Sequence, residues 1–302
     1  IWADETGINE IGEINGMLCE KYKLSRVDDG LASTTIQQQM RTFRHFVRWC
    51  ESVELIEQGT SELIRIPKTN KDEQARDASI EPERARAILS YIEQFEYATL
   101  QHLVFGLFWE TGMRTGTARA LDLDDVRRDD GDVMYVAPKH RPSEDTPLKL
   151  GSDGERHITI GRGQLASAID DWIEQRRPDV EDNYGRKPLL ATNQGRAATT
   201  TVRVACYKVT HPCFEDSCPH GRVRNDCEYT QHGQSGGCPS AVSPHAVRRA
   251  AITYHLDQGM PKELVGERCN VSAGTLDDHY DVRSEEQKRA NRTRYIEKMD
   301  FE

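Results

Sequence analysis

Residues 107–125 of this chain read LFWETGMRTGTARALDLDD and contain its most informative junction. The apolar residues that precede Gly112 have the spacing of a helix, and the glycine is typical of a helix boundary. A second helix is expected after it, with Ala118 and Leu121 among its apolar residues. By itself a Thr-Gly-x-Arg sequence is a weak signal, because a glycine before an arginine can simply mark a helix start. The pattern places Arg114 where one helix ends and another begins.

Two further short motifs follow in the C-terminal third of the chain. His245-Ala246-Val247-Arg248 comes directly after Pro244, which favours a turn ahead of a new helix. Tyr280 lies later, in the sequence Asp277-Asp278-His279-Tyr280-Asp281. Each motif alone is more often structural than functional. Their order and their separations, about 130 and then about 30 residues, are much harder to dismiss.

These residue types suit chemistry at a phosphodiester. Two guanidiniums, those of Arg114 and Arg248, can hold the negative charge that develops on the non-bridging oxygens without losing their protons. A phenol, with a pKa of about 10, is a weak nucleophile at neutral pH, so Tyr280 needs a positive environment or a nearby base. His245 is three residues before Arg248, shares its helix face and can supply that proton transfer.

The ordered motifs resemble those of the tyrosine recombinases, whose pattern is T-G-x-R, then H-x-x-R, then a late tyrosine. The resemblance covers about Ser79 to the end and is weaker before it. It implies a mainly α protein with a small β-sheet: a helical N-terminal core-binding domain and a mixed α+β tyrosine recombinase catalytic domain that clamp duplex DNA. It also implies a site-specific integrase that forms a 3′-phosphotyrosyl intermediate and acts as a homo-oligomer, a tetramer, on double-stranded DNA at specific sites.

By the same resemblance, a lysine on the hairpin between two short strands should protonate the leaving 5′ oxygen. The strands are predicted at 133–136 and 157–160, where apolar side chains alternate. Lys149 is preferred, because Thr146-Pro147-Leu148-Lys149 approaches the second strand. Lys139 remains the alternative, because it ends the first strand as the family's hairpin lysine does.

Two positions depart from the family pattern. The acidic residue usually found three positions after the first arginine is Thr117 here, so support for Arg114 is expected from Asp122 or Asp124. The histidine usually found ahead of the tyrosine is replaced by Arg268, and three extra residues precede Tyr280. An arginine can still donate to a phosphate oxygen, so Arg268 is retained as a predicted catalytic residue.

The patterning along the chain suggests where the domains lie. A stripe of apolar residues between Ile36 and Cys50 recurs every three or four positions and predicts a helix with one buried face, with Thr34 as its N-cap. The next stretch is almost wholly polar and predicts a linker. The predicted boundaries are 1–67 for the helical DNA-binding domain, 68–78 for the linker, and 79–302 for the catalytic domain with a cysteine-rich insertion at 206–238.

Five of the eight cysteines lie in this insertion. Four have the spacing C-x4-C-x8-C-x10-C, with histidines nearby, and the predicted metal ligands are Cys213, Cys218, Cys227 and Cys238. Tetrahedral zinc accepts four cysteines or three cysteines and a histidine, so we expect a structural zinc that folds this polar loop. Disulfides, which a cytoplasmic chain disfavours, and unliganded thiols are the alternatives. The proposed chemistry itself needs no metal or other cofactor.

The formal net charge of −10 argues at face value against a nucleic-acid partner, although binding depends on local basic patches rather than on the total. Such acidity is expected of a protein kept soluble at high salt, and the resemblance is to an archaeal, haloarchaeal-like integrase branch. No apolar run approaches the roughly 20 residues that span a bilayer, and the first ten residues lack a secretory pattern, so a cytoplasmic protein without a membrane partner is expected.

Three other functions remain open from the sequence. The first is a catalytically inactive, sequence-specific DNA-binding protein of the same fold, suggested by Thr117 and Arg268. The second is a type IB topoisomerase-like enzyme, which would relax DNA as a monomer. The third is a zinc-dependent regulatory module in which Arg114 and Tyr280 are incidental.

Overall fold

The computed structural model describes residues 6–68, 80–215, 217–231 and 233–280, together with residues 286, 289, 293, 296 and 297. The chain divides into two compact units, Ile1–Asp77 and Ala78–Glu302. This division falls within the predicted linker at 68–78, of which every residue except Lys68 lies outside the described residues. Within the described residues, no helix combines the length and the apolar character needed to cross a membrane.

The N-terminal unit is built around two helices, α1 (Gly16–Asp28) and α2 (Ser33–Ser52). The Asn15 side chain caps α1 by accepting hydrogen bonds from the backbone N–H groups of Met17 and Leu18. The predicted apolar stripe contributes to the core of this unit: its buried members are Ile36, Met40, Val47 and Cys50.

The start of α2 differs from the prediction. The helix begins at Ser33 with Ala32 as its N-cap, so the prediction of Thr34 as the cap was wrong. The carbonyl of Ala32 already accepts from the N–H groups of Thr35 and Ile36, which places Thr34 inside the first turn.

The C-terminal unit packs its helices around one central helix, α4. Its helices are α3 (Pro82–Phe95), α4 (Leu100–Thr111), α5 (Thr115–Ala120), α6 (Gln164–Asp171), α7 (Thr199–Val209), α8 (Pro212–Glu215), α9 (Pro244–Asp257), α10 (Lys262–Cys269) and α11 (Ala273–His279). Every residue of α4 from His102 to Trp109 is buried. A helix that is apolar on all sides has to be enclosed, and α4 therefore lies at the centre of the unit.

A small antiparallel sheet lies beside these helices. Its strands are β1 (Val126–Arg128), β2 (Met134–Val136) and β3 (Ile158–Gly161), in the order β1-β2-β3, followed by a separate two-stranded ribbon of β4 (Ala191–Thr192) and β5 (Gly195–Arg196). Tyr135 pairs with Thr159 and Val136 with Ile158. β2 and β3 match the two predicted strands, and β1 was not predicted. The long connection from β2 to β3 carries both candidate lysines, Lys139 and Lys149.

An ion-pair cluster fixes the chain after α5. The Asp122 carboxylate pairs with Arg141 at 3.3 Å, with Arg186 at 3.2 Å and with Arg196. Among the described residues no ion pair joins Asp122 or Asp124 to Arg114, so the expected support of Arg114 by these carboxylates is not seen. Asp122 instead holds β5 and the hairpin against the end of α5.

Candidate active site

The Thr-Gly-Met-Arg junction has the backbone geometry that the sequence predicts. α4 ends at Gly112, whose φ of +59° lies in the left-handed region that favours glycine. Arg114 follows in an extended conformation and is the N-cap residue of α5. Because α4 is buried from His102 to Trp109, this geometry fixes where the Arg114 backbone leaves the core.

Arg248 joins three elements of the unit. It lies on α9 and is only 3% exposed. Its Nη1 donates to the carbonyl of Gly112, at the end of α4, and to the carbonyl of Cys269, at the end of α10, the latter at 2.7 Å. A charged group this deeply buried is stable only with such partners, so Arg248 holds its own surroundings together.

Tyr280 converges with the two motif arginines. It follows α11, is 8% exposed and packs in a cluster with Ile252 and Val265. Burial lowers the pKa of Arg248 and so does the charge of Arg114, whereas a side-chain hydrogen bond to Tyr280 raises it. Burial also lowers the pKa of Arg114, and its attraction to Tyr280 opposes that shift. Two guanidiniums and a phenol, remote along the chain, are therefore within electrostatic reach of one another.

The Cys269 thiol shows how dense the positive charge is here. Burial raises its pKa, and four arginines oppose this shift: Arg248, Arg268, Arg156 and Arg114. Four guanidiniums around one buried thiol repel each other, and an anion bound among them would relieve that repulsion. The site is therefore suited to a phosphate group.

His245 lies in the first turn of α9. The Ser243 side chain caps this helix by accepting from the N–H of Ala246 at 3.2 Å. Although the residue is exposed, partial desolvation of its ring lowers the pKa of His245, and further lowering comes from the nearby cations Arg248, Arg249, Arg114 and Lys149. The ordinary value is 6.5, so the imidazole is mainly neutral at pH 7 and can accept a proton.

The two candidate lysines have different surroundings. Lys149 is exposed in the hairpin, and its charge acts on His245. Lys139 forms an ion pair with Glu155, with 2.9 Å between Nζ and Oε2. The Glu155 carboxylate also accepts from the backbone N–H of His140 at 2.8 Å, and this bond and Lys139 hold its pKa below its ordinary value. Lys149 is therefore the lysine whose charge reaches His245, and its role as the catalytic lysine stays a prediction.

Arg268 lies in the last turn of α10, and its guanidinium is engaged by carbonyls. Its Nη1 donates to Thr159 of β3 at 2.7 Å, and its Nη2 donates to Glu110 of α4 at 2.9 Å. Its Nε is buried without a hydrogen-bond partner. Arg268 therefore ties α10 to the sheet and to α4, and its predicted contact with a phosphate oxygen stays a prediction.

Of two further features of the site, Thr117 was identified from the sequence and Arg156 was not. Thr117, where the family has an acidic residue, is 5% exposed and leaves Arg114 without a carboxylate at that position. Arg156, just before β3, belongs to the arginine group: burial lowers its pKa to about 10, with the charges of Arg248, Arg114 and Arg268 acting in the same direction. Only its place in a Glu-Arg-His sequence ahead of a strand marks it, and that signal is too common to be informative.

The cysteine-rich insertion gives an incomplete picture of a metal centre. Cys213 lies within electrostatic range of Cys218 and Cys238, whose charges raise its pKa further after burial has raised it. Cys227 is instead engaged by the Arg222 side chain. Across the described residues, which omit 216 and 232 here, no group of three or more Cys, His, Asp or Glu side chains is arranged to hold a metal ion.

Comparisons with known proteins identify the fold. No family model and no curated protein matches the chain. Among solved structures, the Tn1549 transposon integrase in complex with a circular intermediate DNA has a TM-score of 0.65 at 16% identity, covering 94% of this chain and 86% of that chain. The XerH site-specific recombinase bound to a palindromic difH substrate has a TM-score of 0.62 at 16% identity, covering 94% and 73%.

A dimer of lambda integrase bound to a COC′ core site is also similar, with a TM-score of 0.57 at 14% identity, covering 91% of this chain and 82% of that chain. The chain has the tyrosine recombinase fold. The fold class predicted from the sequence, mainly α with a small sheet, is confirmed.

Proposed function

We propose that this protein is a site-specific DNA recombinase or integrase, an enzyme that transfers DNA strands through a tyrosine. The observation that carries the proposal is the convergence of Tyr280 with Arg114 and Arg248. The shared fold supports the proposal, because the similar structures of the Tn1549 integrase, XerH and lambda integrase are complexes with DNA.

The reaction starts with attack of the Tyr280 oxygen on the scissile phosphorus. The bond between phosphorus and that oxygen forms while the bond to the 5′ oxygen breaks, which gives a 3′-phosphotyrosyl intermediate. The phenol proton passes to the neutral imidazole of His245, and Lys149 protonates the leaving 5′ oxygen. Arg114 and Arg248 stabilise the charge on the non-bridging oxygens. A 5′ hydroxyl of an exchanged strand reverses the step, so no external energy source is required.

The proposed partner is double-stranded DNA at specific sites, bound by a homo-oligomer that becomes a tetramer when two sites are paired. The lambda integrase structure is a dimer on DNA, which supports oligomerisation. The net charge of −10 is compatible with this partner, because the arginine group supplies a local positive field whatever the total.

A covalent trap tests the proposal. Duplexes bound by the protein are first selected from a random-sequence pool and then prepared with nicks at successive positions, so that a short product diffuses away and cleavage cannot be reversed. The wild type is expected to give a protein–DNA adduct on a denaturing gel. Tyr280→Phe is expected to give none, and Tyr254→Phe, a tyrosine on α9 that packs on Trp109, is the matched control.

Other outcomes of this trap favour the rival functions. Tight binding by the wild type without any adduct would identify an inactive DNA-binding protein of the same fold. An adduct together with plasmid relaxation that needs no paired sites would identify a topoisomerase-like enzyme. Binding that survives Arg114→Ala but disappears on metal removal would identify the zinc-dependent regulatory module.

We also propose a structural zinc in the cysteine-rich insertion. The mutual influence of Cys213, Cys218 and Cys238 supports these three as ligands, with Cys227 as the fourth once Arg222 releases it. Thiolates at this spacing suit zinc, which would order the segment ahead of α9 and so place His245. Metal analysis should find one zinc ion per chain in the wild type and none in Cys213→Ser. Wild-type protein without zinc would refute the proposal. Titration of the thiols would then show whether the cysteines form disulfides or are free.

The proposal also concerns the kind of genetic element that encodes this protein. We infer an archaeal integrase of a mobile element, on the strength of the motif resemblance and the acidic balance of the chain. Sequencing the DNA beside the gene tests this, because an integrated element leaves repeats or a partial tRNA gene at its ends.

A further inference from the structure

Arg156 joins the lysine hairpin to the end of α10. Its Nε donates to the carbonyl of Arg268 at 3.0 Å, and its Nη1 donates to the carbonyl of Gly154 at 2.9 Å. Arg248 donates to the next carbonyl of the helix, that of Cys269. The last carbonyls of a helix have no partners within it, so two guanidiniums satisfy adjacent unpaired groups. One helix end thereby fixes both Arg248 and the hairpin.

Gly154 is pressed against the turn that carries Lys149. A Cβ at position 154 would lie 2.8 Å from the carbonyl oxygen of Lys149 and 3.2 Å from the Cβ of Leu148. The same Cβ would lie 3.3 Å from the side-chain nitrogen of Asn270, which directly follows α10. A side chain therefore does not fit there without a shift of backbone. Arg156 holds the carbonyl of this glycine, and through it the main chain of Lys149.

The remaining nitrogen of Arg156, Nη2, is buried and has no hydrogen-bond partner. Burying an unpaired donor is unfavourable, and so is burying a guanidinium beside three others. An apolar residue would avoid both costs but would leave the carbonyls of Gly154 and Arg268 without this donor, so the use of an arginine here lies in those two contacts.

We propose that Arg156 is a positioning residue for Lys149, fixing the Lys149 turn to the end of α10 so that the ammonium group meets the leaving 5′ oxygen while Arg248 holds the phosphate. The inference rests on the proposed function, in which Lys149 protonates that oxygen. In this role Arg156 acts through the main chain of Gly154.

A change of leaving group tests this role. The trapping duplex is prepared with either oxygen or sulfur at the bridging 5′ position. A thiol, with a pKa of about 8.5, leaves as the thiolate and needs no proton, so the sulfur substrate bypasses the acid. Adduct formation is measured for the wild type, Lys149→Ala, Arg156→Gln and Arg177→Gln. Arg177 is the matched control, because it also donates to carbonyls, those of Pro188, Pro178 and Val180, but lies outside the arginine group.

On the oxygen substrate, the rate of adduct formation should fall by about 100-fold or more in Lys149→Ala, which is the lower range for general acid catalysis. In Arg156→Gln the rate should fall by at least about tenfold. On the sulfur substrate both losses should shrink to within about threefold of the wild type, since the acid is no longer needed. Arg177→Gln should behave as the wild type on both. Gly154→Ala, which displaces the Lys149 turn without removing any arginine, should reproduce the Arg156→Gln pattern.

The proposal is overturned if Arg156→Gln matches the wild type on oxygen, or if its loss is equally large on sulfur. The second result would mean that Arg156 acts on the phosphate charge or on folding instead. The proposal is also overturned if the sulfur substrate restores adduct formation in neither Lys149→Ala nor Arg156→Gln. Failure of the proposed function is distinguishable, because the wild type would then form no adduct on either substrate.

Discussion

The arginine group around Cys269 and the cysteine-rich insertion at 206–238 are held together in opposite ways. In the arginine group, the side chains of Arg156, Arg248 and Arg268 donate to carbonyls on α4, α10, β3 and the hairpin, far apart in sequence. In the part of the insertion that follows α8, only Ser235 is buried among the described residues from 217 to 238. The backbone hydrogen bonds of this segment mostly close local turns.

The difference shows what each region needs in order to be ordered. The arginine group is preorganised by the core, because its guanidiniums are tied to the ends of packed helices before any phosphate arrives. The part of the insertion after α8 buries too little apolar surface to offset the conformational entropy of its residues, so a bound metal would have to supply the difference. Changes in the first region should therefore affect chemistry and stability together, whereas changes in the second should stay local.

The largest effect is expected from Arg248→Gln. A glutamine cannot reach both Gly112 and Cys269, so two buried carbonyls lose their donor and the phosphate loses a guanidinium. Adduct formation should fall by about 100- to 1000-fold. Each unsatisfied group costs about 1–3 kcal/mol, and for a unit of this size each kcal/mol lowers the melting temperature by about 2–4 °C.

The matched variant in the insertion is Arg222→Gln. Arg222 is exposed and pairs with Glu228 at 3.1 Å, and such pairs contribute little. Calorimetry and the trapping assay should place this variant close to the wild type. Equal losses for the Arg248 and Arg222 variants would contradict the contrast between the two regions.

The next largest effect concerns pH. Because desolvation and four nearby cations depress the pKa of His245, the neutral base is present above the depressed value and is lost as the pH falls through it. The acid limb of the rate of adduct formation should therefore be centred below pH 6.5, the ordinary value, and approach tenfold per pH unit at its steepest. His245→Gln should lower the plateau and remove the acid limb. A limb centred above pH 6.5 would mean that the field of the arginine group does not act on this histidine.

The sequence predicted those parts of the site that depend on local pattern. The Thr-Gly-Met-Arg junction, the start of α9 beside Pro244 and the strands β2 and β3 each carry their signal within a few residues. The partners of Arg268 and Arg156 could not be predicted in this way. Arg268 donates to carbonyls of Thr159 and Glu110, more than a hundred positions away, and any backbone offers a carbonyl. The sequence around Asp122 likewise does not indicate that its ion-pair partner is Arg196 rather than Arg114.

A smaller, local effect is expected from metal removal. If zinc orders the insertion, a chelator should expose 217–238 to a protease while α4 and α9 stay protected, because the helical core does not depend on the loop. Mass spectrometry of the fragments would locate the cuts. Cys213→Ser should give the same cuts without chelator, and Cys206→Ser, at a fully buried position on α7, should instead lower the stability of the whole unit. Cleavage that is unchanged by chelator would argue against a structural metal.

The smallest effect is expected from Lys139→Ala, and it distinguishes the two hairpin lysines. Lys139 is occupied by Glu155 at 2.9 Å, and Glu155 keeps its bond from the N–H of His140 when the lysine is removed. A partly exposed pair of this kind contributes about 0–1 kcal/mol, so stability and adduct formation should both stay near wild type. Lys149→Ala, in the same connection, should lose activity without losing stability, because its side chain is exposed. The reverse pattern would make Lys139 the acid, and it would require Glu155 to release this lysine when DNA binds.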